Sequence, residues 1–139
     1  MQSTSAIALV GFIVWALLLL LAMEVGRVRL VIAGKFHAGQ FKPDNSNLSP
    51  LMQRLTRAHA NCIESFPLIG GLLLAAIATG HSAVTDPLAL VVLGARLAQS
   101  SIHVASVNTA AVNLRFAAFA IQLAIAAYWA FALLRDLVS

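Results

Sequence analysis

Charge is the scarcest property of this chain. Only 10% of its 139 residues are Asp, Glu, Lys or Arg, and five of those are acidic. A soluble domain carries about a quarter of its residues as charges, so this composition, with 60% hydrophobic residues and a mean hydropathy of +0.89, points to an integral membrane protein. Cysteine is nearly missing: Cys62 stands alone, which excludes an intramolecular disulfide. Cys62 is read as a small packing residue. The four histidines, His37, His59, His81 and His103, are dispersed, so no metal site is expected. Basic residues exceed acidic ones, giving a net charge of +4, but they are scattered without a basic-aromatic stripe, and nucleic acid is not an expected partner.

What the chain has in quantity is long apolar sequence. Met1 to Met23 contains no charged side chain, and roughly 20 apolar residues cross a bilayer. The missing basic region ahead of that stretch argues against a cleaved signal peptide. Breakers divide the chain into four expected transmembrane helices at about 4–30, 53–79, 86–106 and 110–136, one domain over 1–139. The first connection, 33–51, holds Gly34, Gly39, Pro43, Asp44, Asn45, Asn47 and Pro50, which is loop chemistry. In the second, Gly80 suits a helix C-terminus, and Asp86-Pro87 reads as an N-cap with proline at the first helical position, which starts helix three near Asp86. Asn108 or Thr109 is expected to cap helix four. The expected fold is an all-α, antiparallel four-helix membrane bundle.

Six of the nine basic residues, Arg27, Arg29, Lys35, Lys42, Arg54 and Arg57, lie in or beside the first connection. Positive-inside bias places that loop in the cytoplasm. An up-down-up-down bundle gathers the end of helix one, the start of helix two, the end of helix three and the start of helix four on that side. Those ends carry the polar residues of the membrane segments. Arg57, Asn61 and Glu64 fall at i, i+4 and i+7 and share a helix face, as do Arg96, Ser100 and His103. Ionisable groups in a span are costly and mark functional sites by default. The structural alternative is that they pair across the bundle, with Glu64 and Arg96 the expected pair. Against it, six arginines (Arg27, Arg29, Arg54, Arg57, Arg96, Arg115) meet only two acids, Glu24 and Glu64. That surplus invites an anionic ligand. Arg54 and Lys42 are expected to be solvated or to touch lipid headgroups. Gln122 is expected in an interhelical hydrogen bond, and Tyr128 and Trp129 in an interfacial belt at the far side.

The run Arg57-Ala58-x-x-Asn61-Cys62-x-Glu64-x-Phe66-Pro67-Leu68 resembles the helix-two signature of the MAPEG family, membrane-associated proteins in eicosanoid and glutathione metabolism, in the form carried by leukotriene C4 synthase and the microsomal glutathione transferases. Gly94-Ala95-Arg96-Leu97 resembles the family's helix-three arginine motif, Asn113-Leu114-Arg115-Phe116 its helix-four motif, and Val28-Arg29-Leu30 the basic end of helix one. The resemblance covers essentially the whole chain.

It implies a homotrimer that binds glutathione, as co-substrate, between subunits near the cytoplasmic side, and that acts on a lipophilic electrophile reaching the site from the lipid bilayer. The implied activity is that of a glutathione transferase or peroxidase, with a non-catalytic lipid-binding or scaffold member as the alternative. If the host is prokaryotic, the location is the cell inner membrane. The implied ligand contacts are Arg29, Arg57, Asn61, Glu64, Arg96 and His103. Arginines hold carboxylates by bidentate contacts, and Glu64 suits the ammonium group. Arg115 matches the arginine that stabilises the thiolate, which a free thiol of pKa about 8.5 does not supply at neutral pH unaided. The sequence departs from the eicosanoid-forming members: Gln99, His103 and Phe119 stand where several relatives carry tyrosine, and Tyr128 is the one tyrosine present. Prostaglandin or leukotriene synthesis is therefore not inherited.

Overall fold

A computed structural model describes residues 3–138. It consists of four long helices, α1 (Thr4–Ile32), α2 (Pro50–Ala78), α3 (Ser82–Ala105) and α4 (Thr109–Val138), with one short 3-10 turn, Ala38–Gln40, in the first connection. No strand occurs among the described residues, and all four helices are long and apolar enough to cross a membrane. The 29 residues of α1 and of α2 span about 44 Å. That exceeds the roughly 30 Å hydrocarbon core, so their ends reach the headgroup level.

Local chemistry sets the helix ends. Ser49 caps α2 through Met52 N (3.4 Å), with Pro50 at the first helical position, three residues earlier than the hydrophobic pattern suggests. Asn108 caps α4, its Oδ1 accepting from Ala111 N at 2.8 Å. Gly34 and Gly80, both at positive φ, end α1 and α2; the next residue in each case returns a hydrogen bond to the last turn, Lys35 N to Leu30 O and His81 N to Ala76 O. Asp86 does not cap its own helix. α3 starts at Ser82 and runs through Pro87, and the Asp86 carboxylate crosses to α1, where Oδ1 accepts from Ser5 N (2.7 Å), Ser5 Oγ (2.7 Å) and Ser3 Oγ (3.0 Å). A first helix without an acidic residue in its opening turn thus borrows a cap from α3. In the loop, Asp44 accepts from Ser46 N at 3.0 Å, and that bond holds its carboxyl below the ordinary carboxylate pKa.

The start of α1 meets the start of α3 at Ser5 and Thr85 (2.7 Å), and the start of α2 meets the end of α3 at Cys62 and Ser100 (3.5 Å), so neighbours in sequence are antiparallel. α1 packs on α2 and α3, whereas α4 packs along α3 and only lightly against α2. Phe12, Ile69, Leu73, Val92 and Trp129 form the buried core with Ala58, Cys62 and Ala89. Trp129 is fully buried, so it fills the core and does not sit in an interfacial belt; Tyr128 is exposed. Phe66 leans on Phe12 (ring centroids 5.5 Å) over Gly70, where an added Cβ would come within 2.6 Å of the Phe66 ring. α2 continues as helix past Pro67.

Candidate functional site

Light packing of α4 against α2 leaves a cavity of about 620 Å³ between them, bounded by the end of α3. It lies at the end of the bundle that carries the first connection. α2 contributes Arg54, Arg57, Asn61, Glu64 and Ser65, then Leu68 and Ile69 one to two turns deeper. α3 contributes Gln99 and His103, and α4 contributes Arg115, Phe116, Phe119, Leu123 and Ala126. The wall therefore grades from three guanidinium groups at the mouth to hydrocarbon at the inner end.

Five of the expected site residues come together here: Arg57, Asn61, Glu64, His103 and Arg115. Asn61 Nδ2 lies 3.4 Å from His103 Nδ1, tying α2 to α3 at the mouth. Arg54 belongs to the wall as well, contrary to its expected place among solvent and headgroups; its Nε donates to Val104 O at 2.8 Å, across from α2 to the end of α3. The signal was present, since Arg54, Arg57 and Asn61 fall at i, i+3 and i+7 and continue one stripe.

Two expected residues lie elsewhere in the fold. Arg29 is exposed near the end of α1, away from the cavity. Arg96 is fully buried behind the wall, its guanidinium 5.3 Å from the Phe12 ring centroid and interacting with Cys62. One nitrogen donates to Asn61 O at 3.4 Å, while Nε and the other terminal nitrogen have no hydrogen-bond partner. The expected Glu64–Arg96 pair does not form: the ion pairs among the described residues are Arg27–Glu24 (2.9 Å) and Arg135–Asp136 (2.7 Å). Arg27 is used by the loop, where it also donates to Asn45 Oδ1 (2.7 and 3.0 Å) and lies over Phe41. The guanidinium groups of Arg54, Arg57 and Arg115 thus share the cavity with a single carboxylate, Glu64, and form no ion pair with it.

His59 lies on another face of α2, beside a shallow apolar groove with Ile13, Leu17 and Ile63. Cys62 is buried against Ser100. Among the described residues no three His, Cys, Asp or Glu side chains are grouped as metal ligands would be. Gln122 does make its interhelical bond, donating to Gln99 Oε1 at 3.0 Å.

Chemically, the mouth suits an anion with several carboxylates, Glu64 offers one acceptor for a cationic group, and the inner end suits an apolar molecule. In comparisons with known proteins, residues 5–135 match the model of the MAPEG family. No curated protein and no solved structure matches.

Proposed function

The chain belongs to the MAPEG family, integral membrane proteins of glutathione and eicosanoid metabolism, and on that premise we propose that it is a glutathione-dependent transferase or peroxidase acting on lipophilic electrophiles. The observation that carries this reading is the cavity itself, with three arginines that form no ion pair among the described residues and one carboxylate at its mouth, and hydrocarbon at its end. Glutathione brings two carboxylates, an ammonium group and a thiol. Arg54 and Arg57 can hold carboxylates through paired N–H donors, and Glu64 can take the ammonium. Arg115, on the opposite wall, is the group for the sulfur, because a guanidinium within about 4–6 Å lowers the pKa of an acid by roughly 1–3 units. The electrophile enters from the bilayer between α2 and α4 and occupies the side lined by Phe116, Phe119 and Leu123. The mouth faces the cytoplasm, and the assembly is a homotrimer in which a neighbour's Arg29 completes the binding site.

The test is the ultraviolet absorbance of a thiolate on adding glutathione to purified protein near pH 7. Wild type is expected to show it, titrating well below the ordinary thiol value of about 8.5. In Arg115→Ala the titration should return toward that value, cutting the signal at neutral pH about tenfold or more. A wild type without signal, or an undiminished signal in the variant, would remove Arg115 from this role. A non-catalytic, lipid-binding role is the second reading, favoured by the lack of any tyrosine hydroxyl in the cavity wall. It requires lipid to bind while glutathione gives neither thiolate nor thermal stabilisation at millimolar concentration.

A further inference from the structure

One turn inside the mouth, the cavity wall carries an amide, Gln99, whose orientation is fixed by a second amide, Gln122, buried behind it. Gln99 on α3 lies one helical turn, about 6 Å, deeper than His103. Gln122 on α4 is fully buried, and its Nε2 donates to Ala118 O at 2.9 Å and to Gln99 Oε1 at 3.0 Å. A main-chain carbonyl only accepts, so the Ala118 bond decides which end of the Gln122 amide is nitrogen. Gln99 must then present its oxygen to Gln122, because the reverse sets donor against donor. The outcome is at the other end of the same group: Gln99 Nε2 has no hydrogen-bond partner among the described residues, and Gln99 lines the cavity. The pair also leaves Gln122 Oε1 buried without a partner, a cost of about 1–3 kcal/mol that a purely apolar contact between α3 and α4 avoids.

We propose that Gln99, oriented by Gln122, donates an N–H hydrogen bond to a carbonyl oxygen of the second substrate and thereby selects α,β-unsaturated carbonyl compounds with an alkyl tail. This rests on the glutathione reading above for its nucleophile. The glutathione thiolate forms a C–S bond to the β-carbon, and the π pair of the C=C bond moves onto the α-carbon and the carbonyl oxygen as an enolate. The Gln99 N–H stabilises that oxygen, and a proton from water at the polar mouth completes the α-carbon. Atoms and charge balance without an oxidant. The type of donor favours this class over epoxides or hydroperoxides. Opening those breaks a bond to oxygen and leaves an alkoxide or hydroxide that needs a proton, which an amide does not give up. In conjugate addition the oxygen only gathers charge, and a fixed neutral donor suffices. The tail lies along Leu123 and Ala126.

Two measurements test the assignment. In the first, kcat/KM with glutathione is compared for a medium-chain alkyl enone and for chlorodinitrobenzene, which has no carbonyl. The enone-to-arene ratio should fall roughly 10²-fold in Gln99→Leu and less in Gln122→Leu, where Gln99 survives but turns freely. An unchanged ratio overturns the proposal. The second needs no glutathione: the infrared carbonyl stretch of the same enone, isotope-labelled at that carbon, should move to lower frequency on binding wild type and stay at its free value with Gln99→Leu. A shifted carbonyl in a protein that never forms glutathione thiolate would sink the glutathione reading and the addition step but keep the carbonyl site. A thiolate with an unshifted carbonyl would do the opposite.

Discussion

Arg96 occupies the place where a guanidinium is hardest to keep, inside the bundle against Phe12 and Cys62 with two of its nitrogens unpartnered. Replacing even a buried ion pair by apolar side chains of similar volume is often neutral or stabilising by about 1–4 kcal/mol, and a buried guanidinium without an ion-pair partner has less attraction to lose. Arg96→Met should therefore unfold at the same or a higher temperature in detergent and keep its thermal response to glutathione. Arg96→Ala, which leaves a void, should lose about 2 kcal/mol or more. A loss of glutathione response in the methionine variant would return Arg96 to the list of ligand contacts. Its spacing from His103 made the two look equivalent, and the reason they are not is geometric. Seven residues restore the helix angle but move about 10 Å along the axis. His103 faces the open mouth, while at the depth of Arg96 the space is filled by Phe12 of α1. Angle is legible in a single sequence, and depth against a neighbouring helix is not. The same holds for Gln99, conspicuous in the sequence as a replacement for tyrosine, whose direction depends on Gln122 and on a carbonyl of α4.

Between helices, packing is decided at glycines and caps. An alanine Cβ at position 70 would press on three ring atoms of Phe66 at 2.6–2.9 Å, and that ring is held against Phe12. Overpacking costs about 1–3 kcal/mol, more than the ~1 kcal/mol that alanine gains over glycine in a helix. Gly70→Ala should lower the thermal midpoint, whereas Gly94→Ala, where an added Cβ meets nothing within 4 Å, should be neutral or stabilising. Equal behaviour of the two would mean that Phe66 moves aside freely. At the membrane face opposite the cavity, Asp86→Ala removes the acceptor for Ser5 N and for the Ser3 and Ser5 hydroxyls. The expected loss is about 1 kcal/mol, with faster hydrogen exchange at the start of α1 as its local signature. Helix existence and order were legible because four apolar stretches are separated by strong punctuation at Gly34, Gly80 and Asn108. The start of α3 was not. Asp86-Pro87 has the composition of a helix start, but the carboxylate is drawn to the uncapped N-terminus of α1, and Ser82 to Asp86 become helix ahead of the proline.

At the scale of the whole molecule, the bundle is lopsided. α1 is packed on α2 and α3 and supplies nothing to the cavity, which lies between α2 and α4. Arg29 meanwhile projects outward from α1 at the same end as the cavity mouth. In the proposed homotrimer, a closed three-fold ring uses two different faces of each subunit, so every α1 can serve one neighbour while every cavity is served by the other. This makes a directional prediction. Arg29→Ala and Arg115→Ala should each impair glutathione turnover as pure proteins, the first mainly through weaker binding and the second through the thiolate. When the two variants are co-expressed and mixed trimers are isolated, some sites pair an intact Arg115 with an intact Arg29 from the adjacent subunit. Activity should then rise above that of either parent, with native mass spectrometry reporting the composition of the trimers. Recovery cannot occur if Arg29 and Arg115 act within one chain, since every subunit in the mixture lacks one of them. Mixed trimers with no more activity than their parents would place the site inside a single subunit, and a monomer in the mass spectrum would remove the neighbour altogether.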